Sequence, residues 1–319
     1  MTKSISRTLP GLKRLGRLAF TGLLLVLAYL IITRLSAIDW AAVWLAMQDY
    51  QAQQLLQAAG FVAIGYGTCA SYDLISRHIL KLPLPATHVA AKSFVGYSFS
   101  LNLGAMVGGM GVRYRLYRRS GVATAQILRL MMLGALTNWS GYGLLAGALL
   151  WQLPAELMIA LGLPAQLPAL AGSLLIAASA AYLIFCWRRS GSELQLRGVR
   201  IPVPSGPQAL LQIGLSLISW TCIISTLQVL MPAGISWPQT GQAVATGALA
   251  GAASHVPGGI GVLEYVFVEM LDGQAAAAQV LAAVVVFRAL YYLLPFGLAL
   301  LTYLGLEWHY RHTRAVASG

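Results

Sequence analysis

Arg288 stands inside VVVFRALYYLLP, a stretch with no other charge, where a guanidinium needs an anionic partner or an anionic ligand. Glu264 is the nearest obvious counter-charge. It follows a glycine element, HVPGGIGVLE, in which His255 and Pro257 precede Gly258, Gly259 and Gly261. A sister element, GGMGVRYRLYRR, carries Gly108, Gly109 and Gly111 and runs into Arg113 and Arg115. Arginine presents a planar fork of donors that suits a phosphate. Arg113 and Arg115 therefore read as contacts for a lipid headgroup, or more plainly as a positive-inside loop. Asp73 is either a functional carboxylate or the partner of Arg77, one helical turn on. Arg129 reads as a cation that snorkels to the interface. Asn138, in LTNWSGYG, falls opposite Arg288 when the two glycine elements are aligned, and offers neutral hydrogen bonding. His255 is a structural group, a ligand or a proton carrier.

The chemistry of this set is anion binding and proton exchange rather than bond making. The sequence holds no Ser/His/Asp set, no metal-ligand cluster and no defensible carboxylate pair, so neither an enzyme nor a cofactor or metal is expected. Cys69, Cys186 and Cys222 show no CxxC spacing and read as packing residues.

The elements that must position these residues are membrane helices. Of 319 residues 58% are hydrophobic and only 9% charged, with a mean hydropathy of +0.72, whereas a soluble domain carries about a quarter charged residues. Barrel-type alternation is absent. The net charge of +12 is spread over short segments between apolar runs, which orients a chain in a bilayer and argues against nucleic-acid binding. Full spans are expected at 18–35, 54–76, 123–150, 168–187, 208–231 and 276–303.

Two apolar stretches remain, 93–112 and 241–271, and the loop charges decide their course. Segment 36–53 has Asp39 and Asp49 without a base, while 77–92 has Arg77, Lys81 and Lys92. If 93–112 crossed the membrane, Arg113, Arg115, Arg118 and Arg119 would fall outside, against the positive-inside rule. A dip and return keeps them inside. The stretch 241–271 holds His255, Glu264 and Glu269 without a base, so it should dip from the other side.

The expected fold is an all-α polytopic membrane protein with six spans and two re-entrant hairpins. Residues 1–17 form a basic cytoplasmic N-terminus, 18–150 a first repeat, 151–304 a second, and 305–319 a cytoplasmic tail. The glycine elements lie 150 positions apart, Gly108 to Gly258, as an inverted-topology repeat requires. The plainer reading of the glycines is close helix packing, as in Gly104-x-x-x-Gly108 or Gly247-x-x-x-Gly251.

GGMGVRYRLY, TNWSGYG, HVPGGIGVLE and FRALYYLLP together resemble the lysylphosphatidylglycerol synthase transmembrane-region family over nearly the whole chain. In its bifunctional members this region is a lipid flippase attached to a cytosolic aminoacyltransferase domain. The resemblance implies a lipid substrate and carries over Gly108, Gly109, Gly111, Arg113, Pro257, Gly258, Gly259, Gly261, Glu264 and Arg288. The 305–319 tail leaves no room for the transferase domain, so lipid aminoacylation is not expected. Other relatives are linked to glycolipid or hopanoid movement, which leaves the headgroup open. The expected function is movement of a phospholipid, anionic by preference, between leaflets of a bacterial inner membrane. Membrane phospholipids are the expected partners, and a lipid-synthesising enzyme is a candidate partner. The alternative is a proton-coupled transporter of a small polar solute using Asp73, His255 or Glu264.

Overall fold

A computed structural model describes residues 39–153, 158, 164–196, 199–254 and 256–317. The expected N-terminal segment 1–17, the span at 18–35 and His255 lie outside the described residues.

Five long helical runs account for most of the chain. They are α2 (Ala52–Ile79), α5 (Thr124–Leu150), α6 (Leu167–Arg188), α7 (Gly206–Leu230) and the run α10 (Ala277–Phe287), a π-helical segment (Arg288–Leu293) and α11 (Leu294–Ala317). A short α1 (Trp40–Gln48) precedes them, capped by the Asp39 carboxylate, which accepts from the Ala41 and Ala42 amides at 3.0 and 3.1 Å. The start of α7 is fixed by a reciprocal cap: the Ser205 hydroxyl accepts from the Gln208 amide, and the Gln208 side chain from the Ser205 amide.

Among the described residues three runs are long and apolar enough to cross a membrane: α6, α7 and Ala277–Trp308. Helices α2 and α5 are as long but more polar, because they turn Asp73, Ser76, Thr137 and Ser140 into the protein. Outward, α6 exposes Leu170, Leu174 and Ile184, an apolar face suited to lipid rather than water.

The core gathers where α2 crosses α7. A Cβ at Gly65 would sit 3.4 Å from the Cβ of Cys222, and the Cys69 thiol lies 3.3 Å from the Ser219 hydroxyl. Such small residues let two backbones approach closely. Around the crossing, Tyr66, Leu149, Ile224, Phe267, Val284 and Phe287 form one buried apolar cluster.

Two helical hairpins pack into this frame. The first comprises α3 (Ala86–Leu103), a reversal at Gly104, a π-helical segment (Ala105–Val112) and α4 (Arg113–Arg119). It begins before and ends after the expected 93–112, because α3 starts directly behind Pro85 and the returning arm continues to Arg119. The returning arm lies on α3 so tightly that a Cβ at Gly108 would overlap the Phe99 carbonyl, and one at Gly109 would stand 2.7 Å from the Ser100 hydroxyl. Close approach is thus the work of this element, rather than unusual dihedrals.

The second hairpin comprises α8 (Trp237–Ser254), a 3-10 turn (Pro257–Gly259) and α9 (Val262–Met270). Its glycines do need special dihedrals: Gly258, Gly259 and Gly261 have φ of 65°, 58° and 80°.

The fold is mostly helical, as expected, with one element beyond that expectation: β1 (Glu193–Leu196) and β2 (Val199–Pro202) form an antiparallel pair between α6 and α7. ELQL alternates polar and apolar residues, which favours a strand over a helix once the chain has left the membrane helix.

Replacing Gly108 with Ala should lower stability by about 1–3 kcal/mol through overpacking against backbone that cannot give way. Gly297→Ala, where the added methyl meets open space, should leave it unchanged. Thermal unfolding of the purified protein in detergent separates the two; equal melting would refute the close packing of the first hairpin.

Candidate functional site at the hairpin tips

The two hairpins meet tip to tip. A Cβ at Gly258 would lie 3.2 Å from the Leu101 carbonyl and 3.8 Å from that of Asn102. Asn102 also anchors the first tip to the π-helical segment, donating its amide to the Tyr292 carbonyl at 3.2 Å.

Arg288 opens that segment and closes the junction. Its Nε donates to Glu264 Oε1, and its Nη2 donates to Glu264 Oε2 at 3.0 Å. The same guanidinium donates to the Gly258 carbonyl at 2.8 Å and to the Gly259 carbonyl at 2.9 Å. Glu264 accepts in addition from the Gly261 amide at 2.8 Å. Tyr292 lies under the guanidinium, with its ring centroid 5.2 Å from Cζ. The carboxylate is nearly buried and the guanidinium mostly so, at 9% and 14% side-chain exposure, so each charge depends on the other. The left-handed glycine turn aims its carbonyls at the arginine, which explains why the acid and the glycines sit in one motif.

Of the two readings of Asp73, the pairing with Arg77 does not hold. Its partner is Arg113 on the returning arm, not Arg77, and its second oxygen accepts from the Tyr117 hydroxyl at 2.8 Å. Arg77 instead donates its Nε to the Leu84 carbonyl at 2.5 Å. Fully buried, Asp73 faces out of its helix toward the hairpin, and the longer reach needed for Arg77 one turn on is spent on closing the α2–α3 loop. The Arg113 stem packs across Gly96 of α3, where a Cβ would overlap it.

Arg115 does not join Arg113. The two point apart, and Arg115 pairs with Glu307 of α11 at 3.3 Å, together with Arg119. Asn138 contributes its main-chain carbonyl, which accepts from the Ser216 hydroxyl at 2.6 Å and the Trp220 indole at 3.3 Å. Among the described contacts it joins neither ion pair. Sequence reading missed Asn102, Tyr117, Tyr292 and Glu307. A hint existed for Glu307, an acid in a basic tail; Tyr292 was one aromatic among many.

The arrangement can hold an oxyanion in place of the Glu264 carboxylate, on a guanidinium already oriented by two carbonyls. Among the described residues no group of three His, Cys, Asp or Glu could hold a metal.

No family model matches the chain. Over 316 residues, 99% of this chain and 98% of the relative, it is 33% identical to the inner membrane protein YbhN of Escherichia coli (strain K12). Over 266 residues, 82% of each chain, it is 29% identical to the uncharacterized protein slr0712 of Synechocystis sp.. The first of these similarities spans both hairpins and every helix around them, and the chain belongs to the YbhN family of inner membrane proteins.

Proposed function

We propose that this protein carries phospholipids, anionic ones by preference, between the leaflets of the inner membrane, with the junction of the two hairpin tips as the headgroup passage. The observation that carries the reading is a mostly buried arginine paired with a buried carboxylate where the two tips touch. A charged headgroup cannot enter hydrocarbon unaided, because an unpaired charge there costs several kcal/mol. A guanidinium held by a replaceable internal carboxylate lowers that barrier for a phosphate while the acyl chains stay in lipid.

Six spans and two re-entrant hairpins, related as an inverted repeat, are part of the proposal. Contacts across the centre support it. Cys69 meets Ser219 at 3.3 Å, a residue meeting its counterpart 150 positions on, as a twofold axis through the crossing would bring about. Positions 66 and 216 are likewise 150 apart. The Tyr66 hydroxyl donates to the Tyr291 carbonyl at 2.8 Å, and the Ser216 hydroxyl donates to the Asn138 carbonyl at 2.6 Å. Subtracting 150 from 291 gives 141, within one helical turn of 138. Discontinuous helices that meet at the interface of such repeats are where transporters bind substrate. The resemblance to a flippase-domain family, drawn from the motifs alone, points the same way.

The rival reading, a proton-coupled carrier of a small solute, needs a carboxylate that exchanges protons. Both Asp73 and Glu264 are buried and ion-paired with mostly buried arginines, which favours the lipid reading. No enzymatic step is proposed.

The test is a leaflet-resolved assay in proteoliposomes with headgroup-intact fluorescent phosphatidylglycerol and phosphatidylcholine. We expect protein-dependent exchange of phosphatidylglycerol, faster than that of phosphatidylcholine. Absence of protein-dependent exchange for every lipid tried would overturn the proposal.

The same assay separates a working pair from a merely structural one. Arg288→Met or Glu264→Leu alone leaves a buried charge and should cost about 3–5 kcal/mol of stability. The double variant should recover stability and yet move no phosphatidylglycerol. Full transport by the double variant would mean that the pair only holds the tips together.

A further inference from the structure

Away from the hairpins, a groove of about 450 Å³ opens between α5, α6 and the β-hairpin, lined by Met132, Leu136, Trp139, Tyr182, Leu194 and Ile201 among others. Its walls are almost wholly apolar, and its size falls in the range of ordinary small-ligand sites. Leu194 and Ile201 are cross-strand partners on one face of the strand pair, so the β-hairpin turns its apolar side into the groove. Trp187, at the end of α6 just past the groove, is largely exposed, as a tryptophan is at a membrane interface.

The α5 wall has a charged foot. Arg129, Met132, Leu136 and Trp139 follow at intervals of three, four and three residues, the spacing of one helical face. Arg129 therefore lies one turn below the apolar wall, at the end of α5 nearest the arginine-rich α4. Its Nε is buried and has no hydrogen-bond partner. The side chain as a whole is half-buried and forms no ion pair among the described residues, so its charge is open to an anionic ligand. Apolar groove and unsatisfied arginine together have the pattern of an acyl chain followed by a phosphate.

We propose that this groove binds one anionic phospholipid, an acyl chain lying along Met132, Leu136 and Trp139 and the phosphate on Arg129. The site is separate from the hairpin tips, and it stands or falls independently of the translocation reading. Tyr182 ties it to the interior: its hydroxyl donates to Gln212 at 2.6 Å, and Gln212 donates to the Thr137 hydroxyl at 2.9 Å, so the groove wall is held rigid from behind. A preformed, rigid wall favours a bound lipid over one passing by.

The test uses the full-length protein in phosphatidylcholine nanodiscs, with a trace of phospholipid bearing a photoactivatable group in its acyl chain. Two probes of identical chains are compared, phosphatidylglycerol and phosphatidylcholine, and adducts are mapped by peptide mass. We expect adducts on the peptides holding Met132–Trp139 and Tyr182–Cys186, about tenfold more from phosphatidylglycerol, because the choline ammonium of the other probe offsets its phosphate and stands against the Arg129 cation. Arg129→Gln should bring the phosphatidylglycerol yield down to the phosphatidylcholine level. Ala135→Trp, which fills the groove, should remove both. Equal labelling of the unaltered protein by the two probes would mean ordinary boundary lipid and overturn the proposal, as would clean groove peptides. That comparison needs no variant, so it decides the matter even where a substitution fails to fold. Undiminished labelling of folded Arg129→Gln would overturn the phosphate assignment.

Discussion

One guanidinium, that of Arg288, holds the centre of this molecule. It satisfies the Glu264 carboxylate and two carbonyls of a glycine turn that has no helix of its own to bond within. Irregular backbone at membrane depth survives only where protein satisfies it. Remove the arginine and two carbonyls lose this donor while the carboxylate keeps only the Gly261 amide; remove the carboxylate and a cation is stranded. The placement of the second tip, and through the Leu101–Gly258 contact that of the first, follows from this single group.

The other hairpin is clamped by the same chemistry with the charges exchanged. Arg113 on the first hairpin reaches Asp73 on a long helix, whereas Glu264 on the second hairpin receives Arg288 from a long helix. The two pairs are not superimposable by the 150-residue offset, since Asp73 would fall on Ile223 and Arg288 on Asn138. A shared backbone plan therefore carries two different electrostatic fastenings. A third ion cluster, Arg115 and Arg119 with Glu307, ties the end of the first hairpin to α11. Movement of the first hairpin would thus be felt at both α2 and α11.

Much of this was legible in the residues. Among the described residues, apolar runs located four of the long helices to within a few positions, because burial in lipid demands length and apolarity whatever the packing. The last runs on to Ala317 instead of ending at 303, because polar residues continue its helix through the expected tail. The charge of the loops set the two remaining stretches apart, and the unpaired Arg288 announced a partner. What the residues hid was direction. Asp73 has two arginines within reach, and only the hairpin's return along α3, forced by the contact of Gly108 with Phe99, brings Arg113 rather than Arg77 to it. The hairpin extends beyond its apolar part because Arg113–Arg119 continue the same helix with charged residues, which hydropathy cannot register. The strand pair at Glu193–Pro202 was masked by its place between the spans expected at 168–187 and 208–231, where so short a connection gives little pattern to read. Asn102 and Tyr292 matter through one hydrogen bond and one ring contact, neither of which has a spacing to betray it.

If lipid headgroups pass between the tips, the contact between Leu101 and Gly258 must open in each cycle, and the Arg288–Glu264 pair must exchange its carboxylate for the incoming phosphate. The direct measurement is transport with the tips tied. Leu101→Cys and Ile260→Cys, in a background with Cys69, Cys186 and Cys222 replaced by Ser, would be joined by a short bifunctional thiol reagent with a cleavable disulfide. Phosphatidylglycerol exchange in proteoliposomes should stop on crosslinking and return when the link is reduced. Undiminished exchange with the tips tied would contradict the account.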